Sequence, residues 1–227
     1  MDPVPGTGGA VATAVTAIRD LIRRRELLPG EPVRQQDMAK RLGMSRVPVR
    51  EALKALQTEG IVSHSPNQGY FVAKFSAAEL DQIYLMRRVL ETALLQHLVW
   101  PTSEQLAEIG VINERLGQAA EAAEVTLLVQ LNREFHEAVF GLSPLKTVQR
   151  EVRRLWEMSD SYRALYLYGP ARQRIAAEHQ AIIEALSARD LDALIAATDR
   201  HRGVAQEEVA AMLGGRSVNE TSTGEVR

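Results

Sequence analysis

No cysteine occurs among the 227 residues, which excludes disulfide bridges, thiolate nucleophiles and cysteine-ligated metals. Aromatic residues make up only 5%. No apolar run approaches the roughly 18 residues that a membrane-spanning helix needs. Met1 to Gly9 is small and polar, without the basic-then-apolar pattern of a secretory leader. The expectation is a soluble protein of the cytoplasm that contacts no membrane. What the chain does hold is Ala, Leu, Glu and Arg within a 45% hydrophobic composition, which suits helices far better than sheets.

The net charge of −2 hides a division. Residues 1–75 carry 11 Lys/Arg against 7 Asp/Glu, and the remainder carries 16 against 22. A basic front on an acidic body predicts that only the front meets a polyanion.

Val11, Val15, Ile18 and Ile22 recur at helical spacing, predicting an amphipathic helix from about Ala10 to Glu26. Leu27-Leu28-Pro29-Gly30 stops it. A short helix over Gln35–Leu42, with Met38, Ala39 and Leu42 inward, ends at Gly43. A third helix opens at Ser45, a candidate N-cap, tolerates Pro48 in its first turn and runs to Gly60 on a Val49, Leu53 and Leu56 stripe. Two strands follow, 61–65 and 70–73, around a Pro66-Asn67-Gln68-Gly69 turn. Paired helices with a glycine turn between them, closed by a hairpin, make a winged helix-turn-helix. Arg46 and Arg50 lie four apart and away from the core stripe, where an arginine fork can read guanine in the major groove.

Leu28-Pro29-Gly30, the run Leu42-Gly43-Met44-Ser45-Arg46-Val47-Pro48-Val49-Arg50-Glu51-Ala52-Leu53, then Leu56, Glu59-Gly60-Ile61-Val62 and Gly69 together resemble the GntR family. That family comprises winged-helix repressors and activators that bind short palindromes of double-stranded DNA as dimers. By position, the resemblance implies DNA contacts from Ser45, Arg46 and Arg50, with the wing tip Asn67-Gln68 over the minor groove. Arg34 is counted with them. Where the family usually has Thr, this chain has Val47.

From Ser76 onward, Ser76 with Glu79 and Thr102 with Gln105 form capping-box patterns. Amphipathic helices are expected near 77–98, 103–120, 125–140, 145–166, 171–187 and 190–212, separated by Ser143-Pro144, Gly169-Pro170 and Arg189-Asp190. The fold class is therefore mainly α, a winged helix-turn-helix followed by an antiparallel all-α bundle. The expected domains are 10–75 and 76–213, with 214–227 as a disordered tail.

Asn132 and His136 share a helical face, and His179 and His201 fall on two further helices. Imidazoles converging from separate helices can ligate Zn²⁺, Ni²⁺ or Mn²⁺, but spacing alone favours hydrogen-bonded core or surface histidines over ligands. Leu131-Asn132-Arg133-Glu134-Phe135-His136, Glu178-His179-Gln180-Ala181-Ile182-Ile183-Glu184-Ala185-Leu186, Arg189-Asp190 and His201 look like the FCD domain, which follows the winged helix in the FadR branch of GntR proteins. Arg87-Arg88-Val89-Leu90-Glu91 resembles that domain's first-helix signature, and six helices would place it in the VanR-like type. The resemblance implies a divalent transition metal on Asn132, His136, His179 and His201, next to a small organic-acid or sugar-acid effector. Arg87, Tyr162 and Arg163 are candidates to hold that effector. The alternative is a DNA-binding regulator whose bundle only dimerises. An enzyme is not expected: His136-Glu137 opens no His-Glu-x-x-His pattern, and Glu134 and Glu178 are expected to point away from the ligand faces.

Overall fold

The computed structural model describes residues 7–167 and 172–214. It divides into two compact units, Met1–Phe75 and Ser76–Arg227.

The first unit contains helices α1 (Thr7–Arg23), α2 (Gln35–Leu42) and α3 (Arg46–Thr58), then strands β1 (Val62–Ser65) and β2 (Gly69–Val72). Helix α1 ends earlier than the expected Glu26. Arg25 takes a left-handed φ of 60°, and the Glu26 and Leu27 amides both turn back to the Leu21 carbonyl, which closes the helix. Arg24 and Arg25 therefore stand in the turn. Gly43 caps α2 at φ 63° and donates its amide to the last-turn carbonyls. That tight turn delivers α3 with Pro48, Val49, Ala52, Leu53 and Leu56 buried. Ile18, Ile22, Leu27, Val33, Met38, Val62 and Val72 complete this core.

Antiparallel β1 and β2 pair Val62 with Val72 and Ser65 with Gly69. Asn67 sits at the tip with φ 65°, a conformation that asparagine tolerates better than most residues. One pairing was not expected from the sequence. The segment after α1 adds to the wing: the Gly30 amide donates to the Val72 carbonyl at 2.9 Å, and Val33 to Tyr70 at 2.7 Å. Prolines at 29 and 32 disguise that segment as a plain turn.

The second unit is helical among its described residues: α4 (Ala77–Gln96), α5 (Ser103–Glu121), α6 (Val125–Gly141), α7 (Lys146–Leu167), α8 (Arg172–Ala188) and α9 (Leu191–Gly214). Both expected capping boxes form, Ser76 with Glu79 and Thr102 with Gln105. Arg189 reverses the chain at φ 53°, and Asp190 Oδ1 accepts the Ala193 amide at 2.9 Å to start α9. Helix α5 packs on α6 and α8, α8 on α9, and α4 on α7 and α9. The core runs through Leu94, Leu95, Ile109, Phe135, Val139, Trp156, Ile182 and Leu186. Gly169-Pro170 and the expected tail beyond Gly214 lie outside the described residues. Among the described residues, no helix is long and apolar enough to cross a membrane.

Candidate DNA-reading face and metal centre

Helix α3 presents its two candidate arginines outward. Arg46 and Arg50 are exposed, and Arg50 Nε lies 3.2 Å from Glu51 Oε1. Arg46 makes no hydrogen bond or ion pair with a described residue. Ser45 occupies the N-cap position in extended geometry, but its side chain makes no capping bond. The hydroxyl expected to cap the helix is thus directed elsewhere. Arg34 holds the corresponding position before α2 and stands 4.0 Å from Asp37, with 76% of its side chain exposed. Asn67 and Gln68 are exposed at the wing tip. All six candidate DNA contacts are therefore solvent-facing, and none is needed to satisfy this unit's core.

The second unit places its candidates the other way. His136 on α6, His179 on α8 and His201 on α9 are all buried, with one ligand atom of each within 4.8 Å of the others. His136 Nε2 and His201 Nε2 are 3.1 Å apart. Two nitrogens bound side by side to one ion at about 2.0–2.1 Å would stand about 3.0–3.4 Å apart, so the spacing suits a shared ion. His179 is packed flat on Phe135, with ring centroids 3.8 Å apart. Neither of its ring nitrogens has a hydrogen-bond partner, and neither has the buried Asn132 Oδ1. Buried polar atoms are ordinarily satisfied. Orphans of this kind on two expected ligand residues fit a divalent cation, which accepts a lone pair from one imidazole nitrogen and from an amide oxygen alike. Burial, with His201 adding to it, holds the His179 pKa well below the usual imidazole range. It is therefore neutral near pH 7, as a metal ligand must be.

The sequence reading turned Glu178 away from the site, and the structure corrects this. Glu178 leaves the face of its neighbour His179 but reaches across to α9, where His201 Nδ1 lies 2.8 Å from Glu178 Oε2. Helical geometry within α8 could not reveal a partner on another helix. A carboxylate on Nδ1 selects the tautomer whose Nε2 lone pair faces the cluster. Half-burial pushes the Glu178 carboxyl up, but the bonds and charges of His201 and Arg174 outweigh it and hold it below its ordinary value. Glu134 instead accepts a hydrogen bond from Gln130 on its own helix.

Of the three effector candidates, Arg87 is 4% exposed. Its Nε lies 2.9 Å from Glu91 Oε1, and its guanidinium sits 4.3 Å from the Trp156 ring centroid. Glu91 also accepts from Trp156 Nε1 at 2.7 Å and from Arg202 Nε at 2.8 Å. Burial alone would raise the Glu91 carboxyl, but Arg87, Arg202 and the Trp156 bond together hold it below its ordinary value. Arg87 is thus the framework of an ionic knot joining α4, α7 and α9. Tyr162 is buried on α7, and the Arg163 side chain lies outside the described residues. A small cleft of about 80 Å³ opens beside Trp156. His136, Phe140, Val152 and Trp156 line it with Arg133 and Arg153. Arg133 and Arg153 both pair with Glu137 there, at 3.0 and 3.5 Å. These two arginines were not among the site residues expected from the sequence.

Comparison with known proteins finds matches for both units. Residues 10–72 match the model of bacterial regulatory proteins of the gntR family. Residues 82–203, more than half of the chain, match the FCD domain. The chain belongs to the GntR family. It is 30% identical over 196 residues to the transcriptional regulator McbR of Escherichia coli (strain K12), covering 82% of this chain and 89% of McbR. It is 25% identical over 181 residues to the regulator YdhC of Bacillus subtilis (strain 168), covering 78% and 80%. The solved fold of E. coli McbR/YncC superposes with a TM-score of 0.76 at 24% identity over 92% of this chain and 98% of that one. A putative GntR regulator from Rhodococcus sp. RHA1 gives 0.75 at 21% identity, covering 88% and 97%. This GntR protein is accordingly a DNA-binding transcription regulator and not an enzyme. Its FCD unit has six helices among the described residues, as the six-helix type requires, and its buried histidine triad is compatible with a metal site.

Proposed function

We infer that this regulator binds a palindromic operator as a homodimer and is switched by a small carboxylate held next to a divalent metal in the FCD unit. The observation that carries the switch is the buried triad with its orphaned His179 nitrogens and Asn132 Oδ1. His136, His179 and His201 would hold the ion, with Asn132 as the fourth donor. Four neutral donors leave a divalent charge uncompensated, so the bound ion offers a Lewis-acidic position to an incoming carboxylate. The cleft beside His136 supports a small effector: Phe140, Val152 and Trp156 give it apolar walls, and Arg133 and Arg153, each paired there with Glu137, would exchange that carboxylate for the incoming one. Arg87, packed on Trp156, is assigned to shaping that wall, and the buried Tyr162 and Arg163 are retained as candidate contacts.

A homodimer is supported by Leu85, Met86 and Val89, which expose 50%, 43% and 59% of their surface on α4. Apolar groups grouped on one helix commonly mark a partner surface. Two copies would set two recognition helices about 34–36 Å apart, the spacing of successive major grooves. On the DNA, Arg46 and Arg50 would read bases, while Ser45, Arg34, Asn67 and Gln68 would position the unit on the backbone and in the minor groove. Effector binding in the FCD unit would act through the chain at Phe75-Ser76 on that spacing, so effector and operator affinities are reciprocally coupled. Such a regulator works in the cytoplasm.

The test is a thermal-shift screen of organic acids on the Zn²⁺-loaded full chain, followed by operator titration with each hit. A stabilising acid that changes operator affinity supports the switch. Sequence-specific binding that no metal-dependent acid alters would leave the FCD unit as a dimerisation body.

A further inference from the structure

Helix α3 buries Pro48, Val49, Ala52, Leu53 and Leu56. At about 100° per residue these positions fill one side of the helix, and the opposite arc carries Arg46, Val47, Arg50 and Lys54. Val47 falls near the middle of that arc and is 53% exposed, while Arg46, Arg50 and Lys54 around it are exposed as well. A β-branched aliphatic side chain is thus set in the first turn of the recognition helix, at the centre of the surface that faces away from the core. Its two methyl groups can neither donate to a phosphate nor accept from a base.

The surroundings decide what covers it. Arg46, Arg50 and Lys54 surround this apolar residue together with one carboxylate, Glu51, which pairs with Arg50 and Lys54. The arc keeps a cationic excess, so a second copy of the same face would bring like charges together, whereas a polyanion is attracted. Among the groups that a B-form duplex shows in its major groove, the 5-methyl of thymine is the apolar one. We propose that Val47 is a specificity-determining residue whose methyl groups read the 5-methyl of a thymine adjacent to the bases contacted by Arg46 and Arg50. This rests on the reading of α3 as the major-groove helix.

The experiment begins by selecting bound sequences from a randomised duplex pool with the full chain. Each thymine of the selected half-site is then replaced by deoxyuridine, which removes only the methyl group, and affinity is measured at fixed salt. One thymine per half-site is expected to lose roughly fourfold in affinity on replacement, and roughly fifteenfold when both half-sites are changed, the worth of burying one methyl group twice. In Val47→Ala, thymine and deoxyuridine should bind alike at that position while the bases beside it remain selected. Val47 buries little surface in its own unit, so this variant should keep wild-type circular dichroism. A half-site with no methyl-sensitive thymine, or unchanged sensitivity in Val47→Ala, overturns the proposal and leaves DNA reading by α3 intact. Failure to select any sequence overturns both.

Discussion

The two units of this regulator hold their functional residues in opposite ways. In the DNA-binding unit the candidates are exposed, close in sequence and dispensable to the core: Arg46 and Arg50 lie on one helix, with Asn67 and Gln68 one hairpin away. In the FCD unit they are buried and contributed by α6, α8 and α9, so the bundle must fold before the site exists. A surface reader is tuned by single substitutions without risk to its scaffold. A buried sensor shares its residues with the core, and each change there acts on stability as well as on binding.

The largest effect is expected at Glu91, which joins Arg87, Trp156 and Arg202 inside the FCD unit. Glu91→Ala leaves two buried guanidinium groups without their shared carboxylate and should cost about 3–5 kcal/mol in denaturant unfolding. The same knot predicts acid sensitivity. Since the folded-state pKa of Glu91 lies below its ordinary value of 4.5, its stabilisation is complete above that value and is lost as pH falls through the lower folded value. Wild type should therefore lose more stability than Glu91→Ala does in that acidic window. Equal losses would detach the knot from acid unfolding.

Arg50→Ala is expected to behave in the contrary manner. Operator affinity should fall by about 1–3 kcal/mol per half-site, with relaxed preference at one base pair. The melting temperature should stay unchanged, because the side chain is exposed. An intermediate effect belongs to Glu178→Ala, which frees His201 Nδ1 and should weaken Zn²⁺ binding by about 10–100-fold in calorimetric titration, with DNA binding by the metal-free chain untouched. The smallest effect sharpens the comparison at two helix starts. Ser76→Ala removes a capping bond and should cost about 1 kcal/mol, whereas Ser45→Ala should cost nothing in stability and act only on operator affinity, since its hydroxyl caps nothing.

The same contrast explains what could be read from the chain alone. Local chemistry was legible: the glycine turn at 43, the stripe of α3, the wing with Asn67 at its tip and both capping boxes depend on residues within a few positions of one another. The histidine set was legible only through family resemblance, because helical spacing links Asn132 to His136 but says nothing of His179 or His201. Long-range partners were not legible. Glu178 looked misdirected because its target sits on α9, and the Trp156 and Arg202 that share Glu91 with Arg87 come from α7 and α9. Arg24 and Arg25 were assigned to a helix that a left-handed residue ends before them. Each miss turns on a contact or a dihedral angle that sequence periodicity does not encode.

The most direct test of a buried sensor behind an exposed reader is the thermal stability of His179→Leu beside wild type, each metal-free and with Zn²⁺. His179 buries two unsatisfied nitrogens against Phe135, a cost of about 1–3 kcal/mol that leucine avoids. The account predicts that metal-free His179→Leu melts above metal-free wild type, that Zn²⁺ raises wild type alone, and that both bind operator equally without metal or effector. A metal-free variant that melts below wild type, together with a wild type indifferent to Zn²⁺, would show that His179 is a core residue and would contradict the metal centre.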